Sequence, residues 1–154
     1  MATTNTFPYD IELYNSFDRL TNIEASNVTN FLFKHLDEYG DPKEHIRNAI
    51  SYAMKEVTSP GGYVLVCKDD SKIIGAVVVN KTGMNGYIPE NILVYIAIHK
   101  SYRGKGIGKK IMKKTLEIAV GDMALHVEPD NPAKILYEKL GFENKYLEMR
   151  LKKD

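Results

Sequence analysis

The sequence predicts a mixed α/β fold. Two amphipathic helical stretches open it, a β-hairpin and a seven-residue apolar run occupy its middle, and it ends in the order β-α-β-α-β. With 154 residues, 44% apolar and 27% charged, the composition is that of a globular chain with a packed core, and the length suits one domain over 1–154.

Each element has its own warrant. Val28, Phe31, Leu32, His35, Leu36 and Tyr39 share one face of a helix over 22–39, with Thr21 and Glu24 spaced as a capping box. Asp41, Pro42 and Glu44 start a second helix, and Ile46, Ala49, Ile50, Ala53 and Val57 carry its apolar face to about residue 57. Ser59, Pro60, Gly61 and Gly62 break that pattern. Runs 63–67 and 73–79 then flank a turn-like 68–71, which reads as a β-hairpin. The run 92–98 is apolar at every position and predicts a central strand covered on both faces. A helix over 106–120, a short strand at 124–127, a helix over 131–140 and a last strand near 145–151 complete the chain.

Several classes are excluded on composition. The longest apolar run, seven residues, falls far short of the roughly 20 needed to cross a bilayer as a helix, so no membrane partner is expected. Residues 1–5 are polar and lack the basic cap and apolar run of a secretory signal, and Cys67 is the only cysteine, so a reducing, cytoplasmic location is expected. His35 and His45 have no second ligand at metal spacing, and no metal site is expected.

Net charge is only +1, but residues 1–77 hold 7 basic and 11 acidic side chains while 78–154 hold 14 and 9. An anion should meet the second half. Between Lys100 and Lys114 lie seven basic residues and no acid, with Gly104, Gly106 and Gly108 among them. Glycines between a strand and a helix let backbone N–H groups approach an anion, and the helix start adds positive potential. Most of these lysines read as a solvated face. Three glycines at a helix start, each costing about 1 kcal/mol once helical, are better explained by a ligand. The Walker and Rossmann glycine patterns both fail, because Arg103, Lys109 and Lys110 occupy positions those motifs assign to other residues.

What fits is R-x-x-G-x-G, Arg103 to Gly108, directly after the apolar strand. Here the chain resembles the GNAT superfamily of N-acetyltransferases. Val127, Glu128, Pro129, Asp130, Asn131, Pro132 and Ala133 resemble that family's loop after the fifth strand, and Leu136 to Phe142 resemble its L-Y-x-k-x-G-F signature. The resemblance implies a twisted, mixed, mostly antiparallel sheet of six to seven strands flanked by about four helices. It also implies acetyl-CoA as co-substrate and transfer of the acetyl group to a primary amine by direct attack.

On this resemblance, Arg103, Gly104, Lys105, Gly106, Ile107, Gly108 and Lys109 hold the pyrophosphate, and the backbone of Ile96, Ala97 and Ile98 holds the pantetheine. The loop contact falls to Asn131 or Asp130, six and seven residues before Tyr137. Tyr137 matches the proton donor to the departing thiolate, although Ala133, Leu136 and Leu140 on the same helical face would also suit a core tyrosine. The family's usual base position is Ile92; Glu90, two residues earlier on the same side of an extended strand, is the candidate, with His126, His99 and Tyr95 as possible relays. Acceptor binding would fall to Phe31, Phe33, Tyr39, Tyr52, Met84 and Tyr87 and to Asp37, Glu38 and Asp41, for a small-molecule or peptide amine. Two rival readings are an acyl-CoA-binding sensor without catalysis and a helix-hairpin-helix nucleic-acid module built on Gly106 to Lys110. A near-neutral chain with a strand before the turn speaks against nucleic acid as a partner. Monomer and homodimer both stay open.

Overall fold

A computed structural model describes residues 7–154; the polar stretch 1–5 lies outside them. Among the described residues no helix is long and apolar enough to cross a membrane. The strands are β1 (Asp10–Tyr14), β2 (Gly62–Asp69), β3 (Lys72–Lys81), β4 (Asn91–Ile98) and β5 (Met123–Leu125), and the helices are α1 (Asn22–Leu36), α2 (Lys43–Ala53), α3 (Ile107–Ile118) and α4 (Ala133–Lys139). The strands form one sheet in the order β1-β2-β3-β4-β5, antiparallel except for the parallel pair β4 and β5.

The two faces of the sheet carry separate clusters. Val64, Val66, Ala76, Val78, Tyr95 and Ala97 meet Val28, Leu32, Ile46 and Ile50 of α1 and α2. Leu65, Cys67, Val77, Val79 and Leu93 meet Ile107, Ile111 and Met112 of α3, with Tyr137 of α4. β2 and β3 are covered on both sides, which their unbroken apolar sequences allow. Each fully buried leucine or isoleucine contributes about 1.5–3 kcal/mol. The α1 start is the predicted capping box: Thr21 Oγ1 accepts from Glu24 N–H and Glu24 Oε1 from Thr21 N–H, at 3.1 and 2.8 Å.

The structure departs from expectation in four places. Residues 37–39 form a 3₁₀ turn, because Asp37 takes a positive φ of 56° and ends α1. α2 ends at Ala53 rather than near 57, where Lys55 also has φ 56°. β1 is an edge strand that the sequence reading leaves out: its burial is partial and irregular, with Leu13 exposed, so no clear apolar face marks it. No strand forms at 145–151; Tyr146, Leu147, Met149 and Leu151 are exposed, so among the described residues the sheet has five strands, not six or seven.

Gly62 opens β2 where a Cβ would sit 2.0 Å from the Val79 carbonyl oxygen and 3.0 Å from Asn80 Cα. Both obstacles are backbone and cannot rotate away. Gly62→Ala should therefore lower stability by about 2–3 kcal/mol in urea unfolding, although alanine has the better strand entropy.

Candidate functional site

The site begins with a register slip. Along β3 and β4, Val78 faces Tyr95 and Val79 faces Leu93, so Val94 is an extra, unpaired residue. On its other side β4 pairs with β5 at Asn91, Ile92 and Leu93 only. Beyond the slip the pairing of β4 with β5 stops. Val94 to Ile98, including the predicted Ile96, Ala97 and Ile98, thus presents a strand edge without a partner on that side, open to an extended ligand. Side chains 92, 94, 96 and 98 are half-buried, which corrects the expectation of a strand covered on both faces.

The closed end of this wedge is pinned. The Asn91 amide is buried and donates to the carbonyls of Val120 and Asp122, at 2.9 and 3.1 Å. Glu90 Oε1 accepts from Asp122 N–H at 2.7 Å and Oε2 from Gly86 N–H at 3.0 Å. The backbone bonds from Asp122 and Gly86 hold its carboxyl below the usual range. A carboxylate engaged in this way is a poor proton acceptor.

At the open end β4 runs through a 3₁₀ turn (Lys100–Tyr102) into the glycine turn and α3. Gly104 and Gly106 have φ of +81° and +79°, and a Cβ at either would meet nothing within 4 Å. Backbone conformation, not crowding, selects glycine there. Gly106 is the N-cap of α3 and has no side chain with which to cap it; Ile107, Gly108 and Lys109 follow as the first helical residues. Their N–H groups have no intrahelical acceptor, and Lys110 N–H is the first to find one, the Gly106 carbonyl at 3.1 Å. The first turn of α3 holds no acid, unlike those of α1 and α2. Arg103 is used differently than its motif suggests: Nε donates to the Ile98 carbonyl and Nη2 to the His35 carbonyl, at 3.1 and 2.7 Å. A Cβ on Gly108 would reach Leu136 Cδ2 at 3.4 Å, so this glycine lets α3 sit close to α4.

Tyr137 is 7% exposed among the α3-side cluster, its ring edge-on to Phe142. Tyr63 and Tyr95, the other buried tyrosines, donate to the Thr115 carbonyl and to Asp41 Oδ2, at 3.0 and 2.5 Å. Among the described residues the Tyr137 hydroxyl makes no hydrogen bond, yet it is no fully buried orphan, so it keeps contact with solvent. Burial pushes its pKa up to about 12. Asn131 Oδ1 accepts from Ala133 N–H at 2.9 Å and so opens α4, whereas the Asp130 carbonyl accepts from the Tyr39 hydroxyl at 3.3 Å.

The remaining candidates scatter. Phe31 is core, Tyr52 donates to the Lys81 carbonyl at 2.6 Å, Phe33, Met84 and Tyr87 are exposed, and His126 lies exposed beyond β5. Sequence reasoning missed the slip at Val94, for which an all-apolar strand carries no signal, and the link from Tyr39 to Asp130. The strand and single 3₁₀ turn before α3 leave no first helix for a helix-hairpin-helix.

This strand, turn and helix start lie within residues 60–144, which match the model of the GNAT acetyltransferase domain. The chain belongs to the GNAT family of acetyltransferases. It is 32% identical over 85 residues to N-alpha-acetyltransferase 30 of Schizosaccharomyces pombe, covering 52% of this chain and 57% of that one. It is 26% identical over 98 residues to N-alpha-acetyltransferase RimI of Mycobacterium tuberculosis, covering 62% and 61%. The matches thus span less than two thirds of either relative. Among solved structures, aminoglycoside N-acetyltransferase AAC(6')-Iy in complex with CoA shares the fold at TM-score 0.65 and 17% identity, over 94% of both chains.

Two measurements follow from this geometry. Gly106→Ala should keep the fold but lose about 1–2 kcal/mol in urea unfolding, the cost of a side chain at left-handed φ. Because the folded pKa of Glu90 lies below its ordinary 4.5, its contribution to stability is complete above that pH and is lost as pH falls further. Glu90→Gln should therefore show a shallower fall in Tm than the parent between about pH 4.5 and 3.

Proposed function

We propose that the chain is an acetyl-CoA-dependent N-acetyltransferase whose acceptor, a primary amine on a small molecule or peptide, attacks directly. The observation that carries this is the continuity of the free β4 edge, through Gly104 and Gly106, with the uncapped start of α3. An extended amide-bearing chain ending in a diphosphate suits that surface: strand-like pairing along Ile96, Ala97 and Ile98, then anion binding by the N–H groups of Gly104 to Lys109. Lys105 and Lys109 add positive charge, while Arg103, whose guanidinium is committed to two carbonyls, contributes by holding the turn.

Acetyl-CoA brings the activated carbonyl. The chain's own task is to bind, to stabilise developing negative charge and to handle protons. The N–H at Ile98 is assigned to the thioester oxygen. Tyr137 is assigned to the sulfur: its hydroxyl is free of protein partners and its ring is locked. With a pKa near 12 against about 8.5 for a thiol, complete proton transfer would be uphill by roughly 5 kcal/mol, so Tyr137 acts by hydrogen bonding. Glu90 is the carboxylate candidate for the acceptor's proton, but its two backbone bonds weaken it as a base, and the amine reacts best arriving unprotonated. Asn131, whose Oδ1 accepts from the first amide of α4, is the loop residue assigned to the coenzyme. The relatives named for N-alpha and aminoglycoside acetylation both act on amines, which supports the acceptor class.

Thermal-shift titration with acetyl-CoA, then an amine panel followed by thiol release, tests this reading. Saturable binding with turnover on at least one amine is expected; binding without turnover would make the chain an acyl-CoA sensor. Tyr137→Phe should lower kcat about tenfold to a hundredfold with KM for acetyl-CoA within about twofold, and leave Tm unchanged because no protein hydrogen bond is lost.

A further inference from the structure

We propose that His35, at the end of α1, is a positioning residue for the glycine turn before α3, which it holds through its ring Nδ1 and its own carbonyl. The inference rests on the acetyl-CoA reading for its kinetic consequence, not for its geometry. His35 Nδ1 accepts from Lys100 N–H at 3.2 Å, and the His35 carbonyl accepts from Arg103 Nη2 at 2.7 Å. One residue of α1 therefore grips both ends of the segment between β4 and Gly104. The same segment is braced on its other side, where His99 Nδ1 accepts from Ser101 N–H at 3.1 Å and the His99 ring stacks on His35 at 4.2 Å. Tyr102, edge-on to His99, lies under the ammonium of Lys105, a residue of the turn itself.

The contact demands a neutral ring, since a protonated Nδ1 cannot accept. His35 is 4% exposed, and Lys34, Lys100, Arg103 and His99 face it. Asp37, the acid at this helix end, is paired with Lys100 Nζ at 3.4 Å. Lys72, Lys34 and Arg103 face His99. Burial first, then these charges, push His35 down to about 4 from 6.5, so the acceptor persists through mild acid and is lost only as pH nears 4. Loss of the grip frees segment 100–103 and with it the turn on which the diphosphate would rest, while the backbone assigned to the acetyl group, up to Ile98, stays held by its pairing with Gly75 of β3. Coenzyme affinity should suffer and chemistry should not.

Asparagine places its Oδ1 where Nδ1 stands and does not titrate; glutamine places its amide one bond further out. Against the parent, His35→Gln and His35→Leu should raise KM for acetyl-CoA about tenfold with kcat within about twofold, and His35→Asn should restore KM to within about threefold. Between pH 6.5 and 4 the parent's KM should climb at the acid end and that of His35→Asn should stay flatter. Amide hydrogen exchange without coenzyme supplies a readout independent of the reaction: the Lys100 N–H should exchange at least tenfold faster in His35→Gln and at the parental rate in His35→Asn. Equal KM in all variants, or equal loss in asparagine and glutamine, overturns the proposal and reduces His35 to packing. Should the parent not bind acetyl-CoA at all, the functional reading fails, and the exchange rates alone decide whether His35 holds the turn.

Discussion

Everything at this site depends on one residue's worth of slippage in β4. Val94 has no counterpart in β3, so the strand changes which side chains it offers to each layer: Leu93 faces the α3 side, while Tyr95 and Ala97 face α1 and α2. A bulged strand bends and twists more than its neighbours, and β5, paired at only three positions, does not follow. On the β5 side, hydrogen-bonding capacity that a regular sheet would consume is left without a strand partner beyond Leu93, apart from the Ile98 carbonyl that Arg103 takes up. The pins at Asn91 and Glu90 keep the opening from propagating back to the start of the strand.

The second unspent resource is electrostatic. α1 receives a reciprocal cap and α2 an acid in its first turn, whereas α3 starts with glycine and follows it with Lys109 and Lys110. Cations at the positive end of a helix dipole are unfavourable for the helix alone. They become favourable when an anion sits there, and the charge imbalance between the two halves of the chain points the same way. Stability foregone at this helix start is offset by Ile107, Ile111 and Met112, which are almost wholly buried against the sheet.

The parts of this design that were legible in the sequence are those where backbone conformation restricts residue choice. Gly104 and Gly106 announce positive φ, Thr21 with Glu24 announces a cap, and the apolar run announces β4. What stayed hidden was set by partners distant in sequence. Arg103 matched a phosphate-loop motif but spends its guanidinium on carbonyls of β4 and α1, and Glu90, read as a base by its strand parity, is tied up by two backbone amides from other loops. The pattern at 145–151 alternates well enough for a strand yet pairs with nothing, because alternation describes a candidate surface and cannot supply a neighbouring edge.

Cys67, the chain's sole thiol, sits in the middle of β2 with no exposure, and burial followed by the nearby Asp10 pushes it up to about 11. At neutral pH it is protonated and out of reach of disulfide reagents. In an assay that follows released thiol with such dyes, the liberated coenzyme should therefore supply the fast colour, and slow colour from the polypeptide should track how often β2 opens to expose Cys67.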